Sequence, residues 1–127
     1  MTPIRVHCTP AVQKAARKSR HRVDEACAAV CRVLAINPTF GVVVKGHAPL
    51  RKMRVAAPGL TTGKSGGYRL IYATARVDES QHCALLALYF KGDRDDLAAS
   101  DYVALRADAT RILGTQGAAN DPDPDEA

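Results

Sequence analysis

Apolar residues alternate strictly at the start of the chain and then fall into a helical rhythm. In "PIRVHC", Ile4, Val6 and Cys8 stand against Arg5 and His7, the period of a short half-buried strand. "TPAVQKAARKSR" follows, with Thr9 placed to cap a helix and Pro10 at its first position, where an N–H has no intrahelical partner to lose. The basic residues Lys14, Arg17 and Lys18 share one face of that helix. A second helix is predicted from about Asp24 to Ile36, with Ala26, Val30, Val33 and Leu34 at helical spacing, and Asn37-Pro38 ends it. The two helices form an αα-hairpin.

Period two then returns. "LRKMRVA" sets Met53 and Val55 on one side of a strand and Lys52 and Arg54 on the other. "APGLTTGKSGG" reads as a loop. "YRLIYATARV" reads as a strand, with Tyr68, Leu70 and Tyr72 opposite Arg69, Ile71 and Ala73, and "DESQ" as a hairpin turn. "HCALLALYFK" places Leu86, Leu88 and Phe90 on one face, and Cys83, Ala87, Tyr89 and Lys91 on the other. After "GDRDD", the stretch "LAASDYVALRADATRIL" reads as a helix capped by Ser100, with Val103, Leu105, Ile112 and Leu113 as its apolar residues.

The predicted order is β-α-α-β-β-β-α. It describes an α+β fold: a small antiparallel-rich sheet of about four strands, an N-terminal helical hairpin and a C-terminal helix, with the helices on one face. The second face then carries Lys52, Arg54, Arg69, Tyr89 and Lys91, from three consecutive strands that are expected to pair. Lys52 and Arg54 stand about 7 Å apart along their strand, close to the spacing of successive phosphates on an extended single strand.

Charge sharpens that picture. The formal net charge is +5, but the end of the chain, "GTQGAANDPDPDEA", holds four acidic residues and no basic one. Without it, eighteen Lys and Arg face nine Asp and Glu. Between Ala26 and Val77 there is no acidic residue, while Arg32, Lys45, Arg51, Lys52, Arg54, Lys64, Arg69 and Arg76 all fall there. A one-sign field of that kind favours a polyanion as partner. At 127 residues the chain reads as one domain, over residues 1–114, with an acidic disordered tail over residues 115–127.

Other features narrow the classes. No stretch approaches the ~18 apolar residues of a membrane span. "MTPIRVHCTP" lacks the apolar core of a secretory signal, so no membrane partner and a cytoplasmic location are expected. Cys8, Cys27, Cys31 and Cys83 show no CxxC and no paired His/Cys cluster; small buried thiols are expected, with no metal and no cofactor. His7, His21, His47 and His82 are scattered and read as surface or cap positions. Gly66 and Gly67, at the mouth of an apolar strand, mark a tight turn or a close backbone approach beside Arg69.

The combination "LRKMRVAAPG", "GKSGGYRLIYATA" and "LLALYFKGDRDDL" resembles the RelE/HigB branch of the RelE/ParE superfamily of type II toxin–antitoxin toxins. The resemblance spans roughly Ile4 to Leu113, is strongest between Leu50 and Leu97, and includes "NPTFG" after the second helix. It implies an endoribonuclease that cuts mRNA on the ribosome without a metal. The ribose 2′-oxygen would attack the adjacent phosphorus, leaving a 2′,3′-cyclic phosphate and a 5′-hydroxyl. Such a reaction needs a base for the 2′-OH, donors for the non-bridging oxygens and an acid for the leaving oxygen.

The resemblance assigns roles by position. The family's basic strand pair falls on Lys52 and Arg54, its glycine-tyrosine-arginine on Gly67, Tyr68 and Arg69, and its basic residues after the last strand on Lys91 and Arg94. Arg69 would clamp the phosphate with its fixed fork of donors. Lys52 is the candidate base, its pKa expected to fall among so many positive charges. Lys91, with Tyr89 beside it, would stabilise the developing charge or protonate the leaving oxygen. Arg51, Arg54, Lys64 and Arg94 are the remaining candidate phosphate contacts.

Two positions depart from the family pattern. Some members have lysine where Arg54 stands, and arginine is a poor base. Some also stack a tyrosine of the C-terminal helix on the RNA base, for which Tyr102 is the nearest candidate, at a different offset, with Tyr89 the other. The implied partners are mRNA, the ribosome and a cognate antitoxin protein with an acidic or amphipathic segment, in a toxin–antitoxin hetero-oligomer. Two other readings share the fold: a non-enzymatic ParE-like gyrase poison, and a nucleic-acid-binding domain without catalysis.

Overall fold

The computed structural model describes residues 4–18, 24–37, 39–55, 67–77, 80–91 and 96–114. Lys64, Gly66, Arg94, the acidic pair of the "DESQ" turn and the tail over residues 115–127 lie outside the described residues. Strand β1 (Ile4–Cys8) leads into helices α1 (Pro10–Lys18) and α2 (Asp24–Ile36). Strands β2 (Val42–Val43), β3 (Arg51–Val55), β4 (Tyr68–Val77) and β5 (Ser80–Phe90) follow, and helix α3 (Ala99–Leu113) comes last.

The five strands form one mixed sheet in the order β1-β5-β4-β3-β2. β1 runs parallel to β5, and every other neighbouring pair is antiparallel. The helical hairpin carries the chain from the β1 edge to the β2 edge, and the meander from β2 to β5 returns it beside β1. The α+β class is the expected one, with five strands in place of about four. The addition, β2, is two residues long and too short to show as a period.

Local chemistry explains the helix ends. The Thr9 hydroxyl accepts the Val12 N–H at 3.5 Å, and the Thr9 carbonyl accepts the Gln13 N–H at 3.0 Å. Val12 and Ala16, four residues apart, are buried against the sheet, while Lys14, Arg17 and Lys18 are exposed. Helix α3 starts two residues earlier than its serine suggested. Ala98 is the N-cap, and its N–H donates to the Asp101 carboxylate at 3.0 Å; Ser100 falls in the first turn.

Two expectations about faces are corrected. The helices do not share one side of the sheet: α1 and α2 pack with Met53, Leu70, Tyr72 and Leu85, whereas α3 packs on the opposite face with Ile71, Ala73, Ala84 and Leu86. β4 is buried on both faces from Tyr68 to Ala75. The small side chains Ala73, Ala75 and Ala84 leave room there for a second helical layer.

The alternation of β5 also breaks. Ile71 pairs with Ala87 but Tyr72 pairs with Leu85, so Leu86 is an extra residue in a β-bulge. The bulge turns Leu86 toward α3 with Tyr89, while Cys83 and Leu85 join Leu88 and Phe90 on the hairpin side. Burial, with Cys31 nearby, pushes the Cys83 thiol up to about 12, so it stays protonated and inert.

Candidate functional site

The α3 face is only partly covered. Helix α3 lies over β4 and β5, and the β2–β3 end stays open as a cleft of about 950 Å³. Its floor comes from the polar side of β3 and the start of β4. Arg54 and Arg69 occupy directly opposed register positions, and Lys52, opposite Ile71, points to the same side. All three line the cleft.

Arg54 is exposed, but Arg69 keeps only 8% of its surface, and its Nη1 donates to the Tyr68 carbonyl at 3.4 Å. Like charges set directly opposite one another weaken strand pairing. An anion held by both side chains would relieve that repulsion, so the pair is chemically suited to an oxyanion such as phosphate.

Lys52 has a different environment from the one expected. Its Nζ donates to Asp96 Oδ1 at 3.0 Å, and the same oxygen accepts the Tyr102 hydroxyl at 2.5 Å and the Leu97 N–H at 2.8 Å. Lys52 also sits 5.8 Å from the centre of the Tyr102 ring. Partial burial pushes the Lys52 pKa down, but the hydrogen bonds to Asp96 and Tyr102 outweigh it and the net direction is up. The predicted fall is therefore corrected: the local acid, not the surrounding cations, sets this ammonium. Burial pushes Asp96 up, yet Tyr102, Lys52 and the Leu97 N–H hold its carboxyl down at about 2. Burial and the Asp96 contact push Tyr102 up to about 12.

The loop before β2 is fastened from two sides. Tyr72 Oη accepts the Gly41 N–H at 2.6 Å, and Arg51 Nη1 donates to the carbonyls of Gly41 at 2.8 Å and Thr39 at 3.4 Å. A Cβ on Gly41 would lie 2.8 Å from both the Lys52 carbonyl and the Tyr72 hydroxyl, so only glycine fits without movement.

No protein-family profile matches the sequence. Among solved structures, the chain is similar to a mutant of the E. coli toxin RelE in the free state, with a TM-score of 0.53 and 19% identity over 89% of this chain and 100% of that one. The fold is that of the RelE toxin. At that identity the likeness is one of fold.

Within this RelE-like fold, the sequence-predicted residues separate into groups. Lys52, Arg54 and Arg69 meet in the cleft. Arg51 does not join them: it has the parity of Met53, on the hairpin side of β3, and its guanidinium braces the Thr39–Gly41 backbone. Tyr89 lies opposite Arg69 but is buried beneath α3, and its hydroxyl has no hydrogen-bond partner among the described residues. Lys91 follows β5, and its N–H donates to the Gly67 carbonyl at 2.9 Å; its side chain is not part of the cleft wall. Gly67 has φ of 91°, the left-handed region that accounts for the glycine at the entry to β4.

Three cleft residues had no assigned role in the sequence. Asp96 comes from 44 positions beyond Lys52, outside the acid-free stretch that made the region look purely cationic. His47, read as a surface or cap position, stacks on Tyr102 with ring centres 4.9 Å apart, and its buried Nδ1 has no partner among the described residues. Phe40 stands in "NPTFG", a stretch noted for its family resemblance but not for its aromatic ring. His7 and His82 also depart from the expectation: they stack between β1 and β5 at the other edge of the sheet, with Nε2 and Nδ1 2.9 Å apart.

Proposed function

We propose that this chain is the toxin of a type II toxin–antitoxin system and acts as an mRNA endoribonuclease on the translating ribosome. The observation that carries the reading is the Arg54–Arg69 pair, two arginines at opposed register positions of β3 and β4 that line an open cleft together with Lys52. The shared fold with the RelE toxin supports the same reading. In this reading the toxin meets its antitoxin and the ribosome in the cytoplasm; no helix among the described residues is long and apolar enough to cross a membrane.

In this proposal Arg69 and Arg54 hold the non-bridging oxygens of the scissile phosphate. Lys52 enters as a cation and stabilises the charge that builds on the phosphorane. Asp96, ionised at neutral pH, holds that ammonium in place, and solvent takes the 2′-OH proton. Attack of the 2′-oxygen on phosphorus then expels the 5′-oxygen, which takes a proton from the Lys52 ammonium to leave as the 5′-hydroxyl, with the 2′,3′-cyclic phosphate on the other fragment. A cognate antitoxin with an acidic segment would suit the same cations.

The test maps new 5′ ends in cellular messages after brief induction. The wild type is expected to create ends inside translated regions, and Arg69→Ala to lower them by about 100-fold or more, the scale of losing an oxyanion donor. Growth arrest without new RNA ends would overturn the nuclease reading in favour of a bound target such as gyrase.

A further inference from the structure

Phe40 is an aromatic ring held out of the core by a fixed backbone. Its side chain is 57% exposed, and Val42 beside it is 76% exposed, at the rim of the arginine-lined cleft. The other Phe and Tyr rings are placed differently. Tyr68, Tyr72, Tyr89 and Tyr102 are buried, and Phe90 packs at 5.0 Å against Tyr68. Tyr102 offers no open face, with His47 stacked on it and the Lys52 ammonium near its ring.

Exposure of Phe40 is not looseness. The residues on either side are tied down: Thr39 through its carbonyl to Arg51, and Gly41 through its N–H to Tyr72 and its carbonyl to Arg51. Those anchors come from β3 and β4, the strands that carry Arg54 and Arg69. The phosphate clamp and the exposed ring thus share one rigid frame. Aromatic faces beside a cationic groove bind single-stranded nucleic acid by stacking, which is tolerant of base identity.

We infer that Phe40 is the nucleobase-stacking platform of the cleft, seating a base of an RNA strand whose phosphate lies on Arg54 and Arg69. The inference rests on the proposal that RNA is the substrate. The ring fixes how deep the strand sits, so it sets which phosphodiester meets the arginines. Phe40 is a positioning residue rather than a proton carrier.

The chain contains no tryptophan, so Phe40→Trp supplies a single fluorescent reporter at the site. The variant is titrated at low ionic strength with a short single-stranded RNA and with the same RNA carrying abasic positions, following probe anisotropy and tryptophan emission together. Intact RNA is expected to quench the emission. Abasic RNA is expected to bind about 5- to 100-fold more weakly and to quench little. In unlabelled protein, Phe40→Ala should lose a similar factor for intact RNA alone, while Phe40→Tyr keeps wild-type affinity.

Binding that depends on Arg69 but leaves the tryptophan unquenched would overturn the inference and point to an apolar side chain of a protein partner on Phe40. So would Phe40→Ala binding intact RNA as the wild type does. RNA that binds neither the wild type nor the variants also overturns it, leaving the cleavage reading to its own test in cells.

Discussion

The two faces of the central sheet are built from alternate residues of the same strands, yet they do opposite things. On the hairpin face, Met53, Val55, Leu70, Tyr72 and Leu85 close under α1 and α2 into an apolar layer. On the other face, Ile71, Ala73 and Leu86 are covered by α3, but the same face farther along β3 and β4 carries Lys52, Arg54 and Arg69 into an open cleft. The difference teaches where function can sit in a small domain. One complete core holds the strands in register, and that rigidity lets the second face keep cations together at a charge density no isolated hairpin would tolerate.

The apolar face is the more sensitive of the two to substitution. Leu70 is fully buried beneath the helical hairpin, and Leu70→Ala should lower stability by about 2–5 kcal/mol. Chemical denaturation measures the loss. Residual folded protein should keep its Arg69-dependent RNA affinity, because the cleft lies on the other face; loss of affinity in the folded fraction would show that the faces are coupled.

Gly41→Ala tests the edge where the faces meet. The new methyl would press on the Lys52 carbonyl and the Tyr72 hydroxyl, the latter reaching from the hairpin face. A loss of about 1–3 kcal/mol is expected from overpacking. RNA affinity should fall further than stability alone explains, since the change displaces Phe40. Wild-type affinity in a destabilised Gly41→Ala protein would separate the loop from the site.

The smallest effect concerns Asp96 and refines the picture of the open face. The carboxyl is held down at about 2 from an ordinary value of 3.8, so its contribution is present above about pH 4 and is lost as the pH falls toward 2. Asp96→Asn lacks that contribution. The stability gap between wild type and variant should therefore close between about pH 4 and pH 2, and, because the carboxylate is largely solvated, it should stay under about 1 kcal/mol. At the alkaline end, absorbance titration should show the Tyr102 phenol moving down from about 12 in the variant. An unchanged tyrosine titration would mean that Asp96 does not control this cluster.

Much of the architecture was legible because short-range rules acted on it directly. Thr9 and Pro10 marked the start of α1, the alternation of β3 put Lys52 and Arg54 on one side, and Gly67 marked the turn into β4. The face of α3 was not legible, since Ala73 and Ala84 read equally well as lining or as surface until a helix packs on them. Nor was the bulge at Leu86, which needs the register of two strands at once. Arg51 looked like one more phosphate contact, but its parity turned it to the hairpin side, where it braces a loop.

By itself, then, the sequence determined the element order apart from β2, and that Lys52, Arg54 and Arg69 share a cationic face, because periodicity and charge are properties of neighbours along the chain. Only the tertiary structure decided that Asp96 and Tyr102 hold the Lys52 ammonium, that Tyr102 is enclosed and that Phe40 is presented. Those outcomes depend on residues tens of positions apart arriving within hydrogen-bonding distance, and no local pattern encodes which of them will meet.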